Sequence, residues 1–197
     1  MEIRLAMLKK ILFGLSAAVL MSSQAMAQTQ PQLEYQQKHG DWMITCHLID
    51  EAKEVRDCII TTGTTTKVET PQGGQEIDAA RASVIYIQDQ PTLILTALPG
   101  TLLLPGMSIN IDGKPLELGK DKIEQLYFER CLNDGCITGL PLSTDEIVAS
   151  LKKSNTMNLS YNHDLLGKGL QELKLKVSMK GFTAAYDDLQ KRMGKAK

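Results

Sequence analysis

Apolar and polar residues alternate along much of the chain, which is the pattern of a β-strand with one buried and one exposed face. The alternation is regular in residues 107–111, 157–161 and 173–179. Residues 83–88 and 92–98 are instead apolar on both faces and are separated by Asp89-Gln90-Pro91. This predicts two adjacent, well-buried strands. Pro-Gly and Asp-Gly pairs punctuate the stretch between residues 99 and 113, so the strands there are expected to be short.

Two segments have helical spacing instead. The sequence Ser143-Thr144-Asp145-Glu146 is a capping-box opening. The apolar positions behind it and those of the second segment are Ile147, Val148 and Leu151, then Phe182, Tyr186, Leu189 and Met193. The fold class predicted is therefore mostly β: a single-domain β-sandwich or barrel-like arrangement of antiparallel sheets with two short peripheral helices.

The stretch GDWMITC contains the only tryptophan, Trp42, and the first of four cysteines, Cys46. Residues 42–49 and 55–66 are both β-prone, and the residues between them are polar and turn-like. A hairpin centred on Ala52 would place Cys46 opposite Cys58. We therefore interpret GDWMITC as a strand with Gly40 at its turn, a disulfide-bonded cysteine and an indole that anchors the core.

The cysteine spacing favours disulfides. Four cysteines allow three pairings, and the pairs Cys46–Cys58 and Cys131–Cys136 are the local ones. Cys131 and Cys136 enclose Leu-Asn-Asp-Gly, a turn-forming insert that ends at Gly135. Zinc sites use closer Cys-x-x-Cys pairs or histidine partners, and redox motifs are also Cys-x-x-Cys. The sequence therefore predicts two structural disulfides in an oxidising compartment.

The amino end predicts export. Arg4, Lys9 and Lys10 precede an apolar run, and Ala25-Met26-Ala27 is a pattern that a signal peptidase accepts. We expect a signal peptide at residues 1–27, a flexible leader at 28–38 and one domain at 39–197. The apolar run is shorter than a membrane span requires, so no transmembrane segment is expected after cleavage. Met7 is an alternative start to Met1.

Charge and motifs exclude several classes of function. Residues 1–27 hold three basic residues and one acidic residue of the chain's 22 and 23, so the remainder has a net charge of −3. This balance gives no case for nucleic-acid binding. His39, His47 and His163 are scattered, and residues 108–113 imitate a calcium loop that lacks its final glutamate. No catalytic, metal or cofactor-binding residue is therefore predicted.

Four segments occur in an order that resembles the invasion-associated locus B family of bacterial envelope proteins. They are GDWMITC with Cys58 downstream, LPGTLLLPGMSINIDGKP, FERCLNDGC and VSMKGFTAAYDDL. Residues 69–81 match none of these segments and are expected to form a variable loop. The resemblance implies an exported, disulfide-bonded protein of the periplasm, associated with the outer membrane or secreted. The family is named for a factor that promotes bacterial entry into erythrocytes, and no catalytic residue is established for it.

Two classes of function follow. The first is a non-enzymatic envelope protein that contributes to host-cell association or invasion by binding an envelope or host-surface protein. The alternative is a periplasmic housekeeping module without a host role, acting as an inhibitor, a chaperone-like protein or an apolar-ligand binder. An enzyme ranks behind both, because the sequence has no visible nucleophile–base pair.

Overall fold

The structure is a computed structural model that describes residues 31–50, 55–70, 73–118, 121–164 and 169–194. Its strands and helices are β1 (Gln32–His39), β2 (Trp42–Asp50), β3 (Val55–Thr70), β4 (Gly73–Ile87), β5 (Gln90–Ala97), β6 (Met107–Ile111), β7 (Leu116–Leu118), β8 (Asp121–Ile123), β9 (Gln125–Leu126), β10 (Arg130–Leu132), β11 (Gly135–Pro141), α1 (Asp145–Lys153), β12 (Thr156–His163), β13 (Gln171–Ser178) and α2 (Phe182–Arg192).

Two antiparallel sheets enclose the core. The larger sheet has the strand order β1-β2-β3-β4-β5-β11-β10, and the smaller has the order β13-β12-β6-β9. Strands β7 and β8 form a separate two-stranded sheet. Side chains from the inner faces of both large sheets join one buried cluster, in which Ile60, Leu95 and Met157 are inaccessible to solvent. The predicted mostly-β fold is confirmed, and of the two arrangements considered it is the sandwich that the sheets form.

The hairpin of β2 and β3 has the predicted register. Cys46 lies opposite Cys58, and Ile44 lies opposite Ile60. All four side chains are buried, whereas the intervening positions on β2 are half-buried. The period of two along β2 thus separates an inner face in contact with the core from an outer face.

The expectation of a variable loop at residues 69–81 is wrong. Strand β3 continues to Thr70 and β4 begins at Gly73, so the two strands form a long hairpin that extends beyond the other strands of the sheet. The hairpin contacts β13 of the smaller sheet, and Val68 is only 8% exposed. The run of threonines in β3 favours strand structure, but its polarity hides the alternation that sequence analysis relies on.

Strand β1 lies largely within the segment expected to be a flexible leader. The strand pairs with β2, although six of its eight residues are Gln, Glu, Lys or His. The strand is the edge of the larger sheet and is mostly exposed, so it needs few apolar residues and gives little sequence signal. Residues 28–30 of that leader and the expected signal peptide at 1–27 lie outside the described residues.

The helices close one side of the sandwich. Thr144 is the N-cap of α1, and its Oγ1 accepts a hydrogen bond of 3.4 Å from the backbone N–H of Ile147. Ile147 and Leu151 are buried as the spacing predicts. Helix α2 follows Gly181 and packs against β1, β2 and β3. The carboxyl-terminal helix therefore covers the strands that carry the first predicted disulfide.

Candidate functional site

Two tight turns meet where the hairpin of β1 and β2 approaches α2. Residues 39–42 and 178–182 form this contact, here called the Gly40 corner. A Cβ atom at Gly40 would lie 2.6 Å from the carbonyl oxygen of Lys180, and one at Gly181 would lie 1.9 Å from that of His39. Both glycines have positive φ, +59° and +91°. Each position thus requires glycine for its conformation and for the close approach of the other turn.

Hydrogen bonds complete the Gly40 corner. The Asp41 backbone N–H donates to the carbonyl of Lys180 at 2.9 Å. The Trp42 Nε1–H donates to the carbonyl of Ser178 at 3.0 Å. The hydroxyl of Ser178 donates in turn to the Asp41 carboxylate at 2.7 Å. Trp42 is fully buried and meets the ring of Phe182 edge-on at 5.0 Å. The corner joins the two ends of the domain through contacts that hold its polar groups to one another.

Both cysteine pairs expected from the sequence are bonded in the structure. The Cys46–Cys58 bond links neighbouring strands inside the core. The Cys131–Cys136 bond links β10 to β11, and Gly135 precedes it with a φ of +146°. A Cβ atom at Gly135 would lie 2.3 Å from the carbonyl oxygen of Ala97. Such bonds constrain the unfolded chain and are typical of exported proteins.

The histidines occupy separate structural positions. His39 Nε2 lies 3.0 Å from the carboxylate of Asp188 on α2. Burial alone would raise the pKa of Asp188, but hydrogen bonds from His39 and Tyr35 and the charge of Arg192 outweigh it and lower the pKa below its ordinary value. This carboxylate therefore stabilises the contact between β1 and α2.

The third histidine supports a loop. His163 is buried at the end of β12, and its Nε2 lies 2.7 Å from the carbonyl oxygen of Pro99. His47 lies opposite Asp57 in the hairpin of β2 and β3, whereas His39 ends β1 and His163 belongs to the smaller sheet. Within the described ranges, no group of three His, Cys, Asp or Glu side chains is placed to hold a metal ion.

The calcium-like stretch is a turn. The carboxylate of Asp112 accepts hydrogen bonds from the backbone N–H groups of Asn155 and Thr156, the shortest at 2.8 Å. The side-chain oxygen of Asn110 accepts from Gly113 N–H and from the Asn158 amide. These oxygens bind the protein's own amides, so they fix the β6–β7 turn against β12.

Five large apolar side chains are exposed together at one end of the sandwich. Leu102, Leu103 and Leu104 are 40%, 48% and 70% exposed, Tyr127 is 67% exposed and Leu170 is 60% exposed. These five residues are here called the apolar tip. The loop of residues 98–106 that carries the leucines contains no charged residue. Exposed apolar residues gathered in this way mark an interaction surface more often than singly scattered ones do.

Backbone contacts place the members of the apolar tip side by side. The Leu102 N–H donates to the carbonyl of Asn162 at 2.9 Å, which joins the loop to the end of β12. The next residue, His163, pairs with Gln171, which follows Leu170. A Cβ atom at Gly106 would lie 2.4 Å from the Leu126 carbonyl oxygen and 3.3 Å from the Cα of Tyr127. From the sequence, this loop was expected only to provide turns between short strands. Three successive leucines between two Pro-Gly pairs were the signal that was missed.

Two shallow cavities lie elsewhere. A cleft of about 510 Å³ between α1 and α2 is crossed by the ion pair of Lys152 and Asp187, with Nζ and Oδ1 2.6 Å apart. Burial, with a smaller contribution from Tyr186, raises the pKa of nearby Tyr86 to about 12. A groove of about 320 Å³ on the outer face of the larger sheet is lined by residues that include Ile59, Ile85 and Ile94. Neither cavity pairs a nucleophile with a base.

Fold and site together define a disulfide-bonded β-sandwich with a closed corner and an exposed apolar tip. Neither α1 nor α2, the helices of the described residues, combines the length and apolar character that a membrane span needs. The family model "Invasion associated locus B (IalB) protein" matches residues 42–190. The chain therefore belongs to the invasion-associated locus B family, and the resemblance found in its sequence is confirmed.

Individual relatives agree with this assignment. The chain is 26% identical over 156 residues to an invasion protein B homolog of Brucella abortus strain 2308, and equally to one of B. abortus biovar 1 strain 9-941. Each match covers 79% of both proteins. The crystal structure of invasion associated protein B from Bartonella henselae is similar in fold, with a TM-score of 0.59 and 22% identity. That match covers 83% of this chain and all of the Bartonella chain.

Proposed function

We propose that the protein is an exported, non-enzymatic envelope protein that contributes to host-cell association or invasion by binding a component of the envelope or of the host-cell surface. In this proposal the protein is located in the periplasm and is associated with the outer membrane or secreted from the cell. The names of its relatives, invasion protein B homologs and an invasion associated protein B, support the host role. The two disulfides and the amino-terminal pattern support export.

The observation that carries this proposal is the apolar tip. Leu104 is 70% exposed at a place where the chain has fixed its backbone on both sides, so the exposure is built into the fold. Binding surfaces obtain most of their energy from a few apolar or aromatic anchors. Three leucines, Tyr127 and Leu170 supply such anchors within one surface.

Infection of cultured cells tests the host role. A strain that lacks the gene is complemented with the wild type, with the triple variant Leu102→Ser, Leu103→Ser, Leu104→Ser, or with a matched control. The control carries serine at Leu33, Ile49 and Ile87, which are 54%, 46% and 46% exposed and lie outside the tip. At equal protein levels, we expect the tip variant to reduce cell association to that of the deletion strain and the control to restore it. Full restoration by the tip variant would refute the proposal.

The non-enzymatic role has its own test. Four separate variants replace His39, His47, His163 or Asp145 by alanine. These residues carry side chains that could act as an acid or a base in catalysis. Each variant that folds should keep most of the cell-association activity, because these side chains support the fold separately and form no common site. A correctly folded variant at His39, His47 or Asp145 that loses all activity would establish a discrete chemical site, whereas loss at His163 alone would point to the loop that it supports.

The processing site is a part of this proposal. Cleavage after Ala27 would leave a mature chain that begins at Gln28, a few residues before β1. Intact-mass measurement of the protein from fractionated cells should give the mass of residues 28–197. A membrane-bound product that retains residues 1–27 would contradict cleavage and with it the export route.

The outer groove of the larger sheet favours a second candidate function, an apolar-ligand binder of the envelope. Its isoleucines come from three neighbouring strands, β3, β4 and β5, and line the groove together with Thr61, Arg81, Ser83 and Thr96. A fluorescent fatty acid should bind the mature protein, and Ile94→Asp should abolish binding while Ile87→Asp preserves it. No binding by the wild type would exclude this candidate.

A further inference from the structure

The apolar tip has a shape that decides between kinds of partner. Leu102, Leu103 and Leu104 are consecutive residues in a turn that belongs to no strand or helix. Successive side chains in such a turn project in different directions, so one flat protein surface would contact only some of them. All three are nevertheless exposed, at 40%, 48% and 70%. A fluid apolar medium can surround every one of these side chains.

Backbone groups on both sides of the three leucines are bonded within the protein. The Leu98 carbonyl accepts from the Thr101 hydroxyl at 2.7 Å, and the Pro99 carbonyl oxygen lies 2.7 Å from the His163 ring nitrogen. The Leu102 N–H donates to Asn162, and the Pro105 carbonyl accepts from the Gln125 side chain at 2.7 Å. Unpaired backbone groups are costly in a lipid environment. The two sides of the loop therefore need no partner from the lipid, and only its apex, at Leu103 and Leu104, depends on the hydrated headgroups.

Charge selects the type of lipid. The loop of residues 98–106 has no charged side chain, and the chain from residue 28 onwards has a net charge of −3. An anionic bilayer would repel this protein, because binding to such surfaces depends on clustered lysine or arginine. A zwitterionic surface does not repel the protein, so the burial of the apolar side chains can drive binding. Tyr127, with an apolar ring and a hydroxyl, suits the boundary between headgroups and acyl chains.

We propose that the apolar tip inserts Leu102, Leu103 and Leu104 into the headgroup–acyl boundary of a zwitterionic phosphatidylcholine bilayer. Tyr127 and Leu170 lie at the level of the headgroups beside them. This inference rests on the proposed function, in which the tip is the binding surface, and it names the lipid bilayer as the partner. The contact is shallow and reversible, as expected for a few apolar side chains without a second anchor.

Flotation with protein-free vesicles tests the insertion. The mature wild type should float with phosphatidylcholine vesicles, and the triple leucine-to-serine variant should bind at least about tenfold more weakly, given the apolar area that it removes from the boundary. The control with serine at Leu33, Ile49 and Ile87 should bind like the wild type. Wild-type protein that remains unbound, or that binds only vesicles with anionic phosphatidylglycerol, would overturn the proposal.

A fluorescence experiment reports on the inserted residue. Trp42 is fully buried, so its emission reports the fold and a second tryptophan can report the surface. In the Leu104→Trp variant, the emission of the new tryptophan should shift to shorter wavelength when phosphatidylcholine vesicles are added. Brominated lipid should quench this emission. Ile87→Trp should show neither effect, because Ile87 ends β4 opposite Gln90, at the end of β5 that is remote from the loop of residues 98–106. Equal quenching of both, or of neither, would also overturn the proposal.

The two proposals fail in different ways. If the serine variant of the tip loses cell association although the wild type does not bind phosphatidylcholine vesicles, the tip binds a protein. In that case the lipid inference is wrong and the proposed function stands. If the wild type binds these vesicles through the tip but the serine variant associates with cells normally, the lipid inference stands and the proposed host role of the tip is wrong.

Discussion

The Gly40 corner and the apolar tip have similar backbone features, but the large apolar side chain is buried in the corner and exposed in the tip. Both are turns with glycines at positive φ, and both are fixed by backbone hydrogen bonds to neighbouring strands. In the corner, the large side chain is Trp42, which is fully buried against Phe182. In the tip, the most prominent side chain is Leu104, which is 70% exposed.

The difference separates stability from binding. Apolar surface that is buried within the chain stabilises the fold, whereas apolar surface left exposed by a rigid backbone is available to a partner. Changes in the corner should therefore lower the free energy of unfolding and affect binding only through folding. Changes at the tip should weaken binding and leave the free energy of unfolding nearly unchanged.

The largest effect is expected at Gly181 in the corner. Gly181→Ala combines a positive φ with a Cβ atom 1.9 Å from the His39 carbonyl oxygen. We expect it to lower the free energy of unfolding by about 3 kcal/mol or more, measured by urea denaturation. Gly113→Ala is the matched control, since Gly113 has a φ of +80° but no neighbour within 4 Å. Equal losses in both variants would mean that the corner is not closely packed.

The disulfides come next. Serine at both Cys46 and Cys58 should cost about 3 kcal/mol, and serine at both Cys131 and Cys136 about 2 kcal/mol, because the second bond closes a smaller ring. The first pair also leaves two hydroxyls in the core, so the variant should lose cell association through unfolding. Peptide mapping without reductant should recover both local pairs. A peptide that links Cys46 to Cys131 or Cys136 would contradict this assignment.

Asp188 gives a smaller effect with a definite pH dependence. Its pKa is lowered in the folded protein, so the carboxylate stabilises the fold above its ordinary pKa of 3.8, and this stabilisation is lost as the pH falls through the lower folded value. Asp188→Asn should cost about 1–2 kcal/mol at pH 7 and progressively less below about pH 4. Asp187→Asn, at a side chain that is 60% exposed, is the control and should change little. A loss at Asp188 that does not vary with pH would rule out the carboxylate's charge as its cause.

The smallest effect on stability is expected in the tip. Leu104→Ala should change the free energy of unfolding by less than about 0.5 kcal/mol, because its side chain is mostly exposed. Leu95→Ala, at a fully buried position of β5, should cost about 3 kcal/mol. Thermal denaturation of the two variants measures the difference. A destabilising Leu104→Ala would show that the tip is part of the core.

Much of the fold follows from local sequence signals. The alternation at Met157, Leu159 and Tyr161 correctly predicts β12. Each of these side chains is buried in the core while its neighbours are half-buried, and β6 has the same pattern. The pairing of Cys46 with Cys58 follows from hairpin symmetry alone. Strand β1 and the β3–β4 extension were missed, because exposed strands gain their stability from pairing with neighbours and need no apolar period.

The candidate surface was harder to anticipate. The sequence shows that Leu102, Leu103 and Leu104 are apolar, and three successive leucines usually indicate a buried segment. Their exposure depends on Gly106 approaching Leu126 and on Asn162 binding the loop, contacts between residues distant in sequence. Such contacts become visible only when the strands are assembled.

The Gly40 corner also has a consequence for the order of events during export. Trp42 and the Ser178 carbonyl that it binds are separated by 136 positions, so this bond forms only after nearly the whole chain is available. On the export route proposed above, with passage in the amino-to-carboxyl direction, the hairpin of β1 and β2 would emerge long before α2, which covers it. On that route the final closure of the domain would wait for its last helix, and the chain would stay incompletely folded for as long as it is in transit.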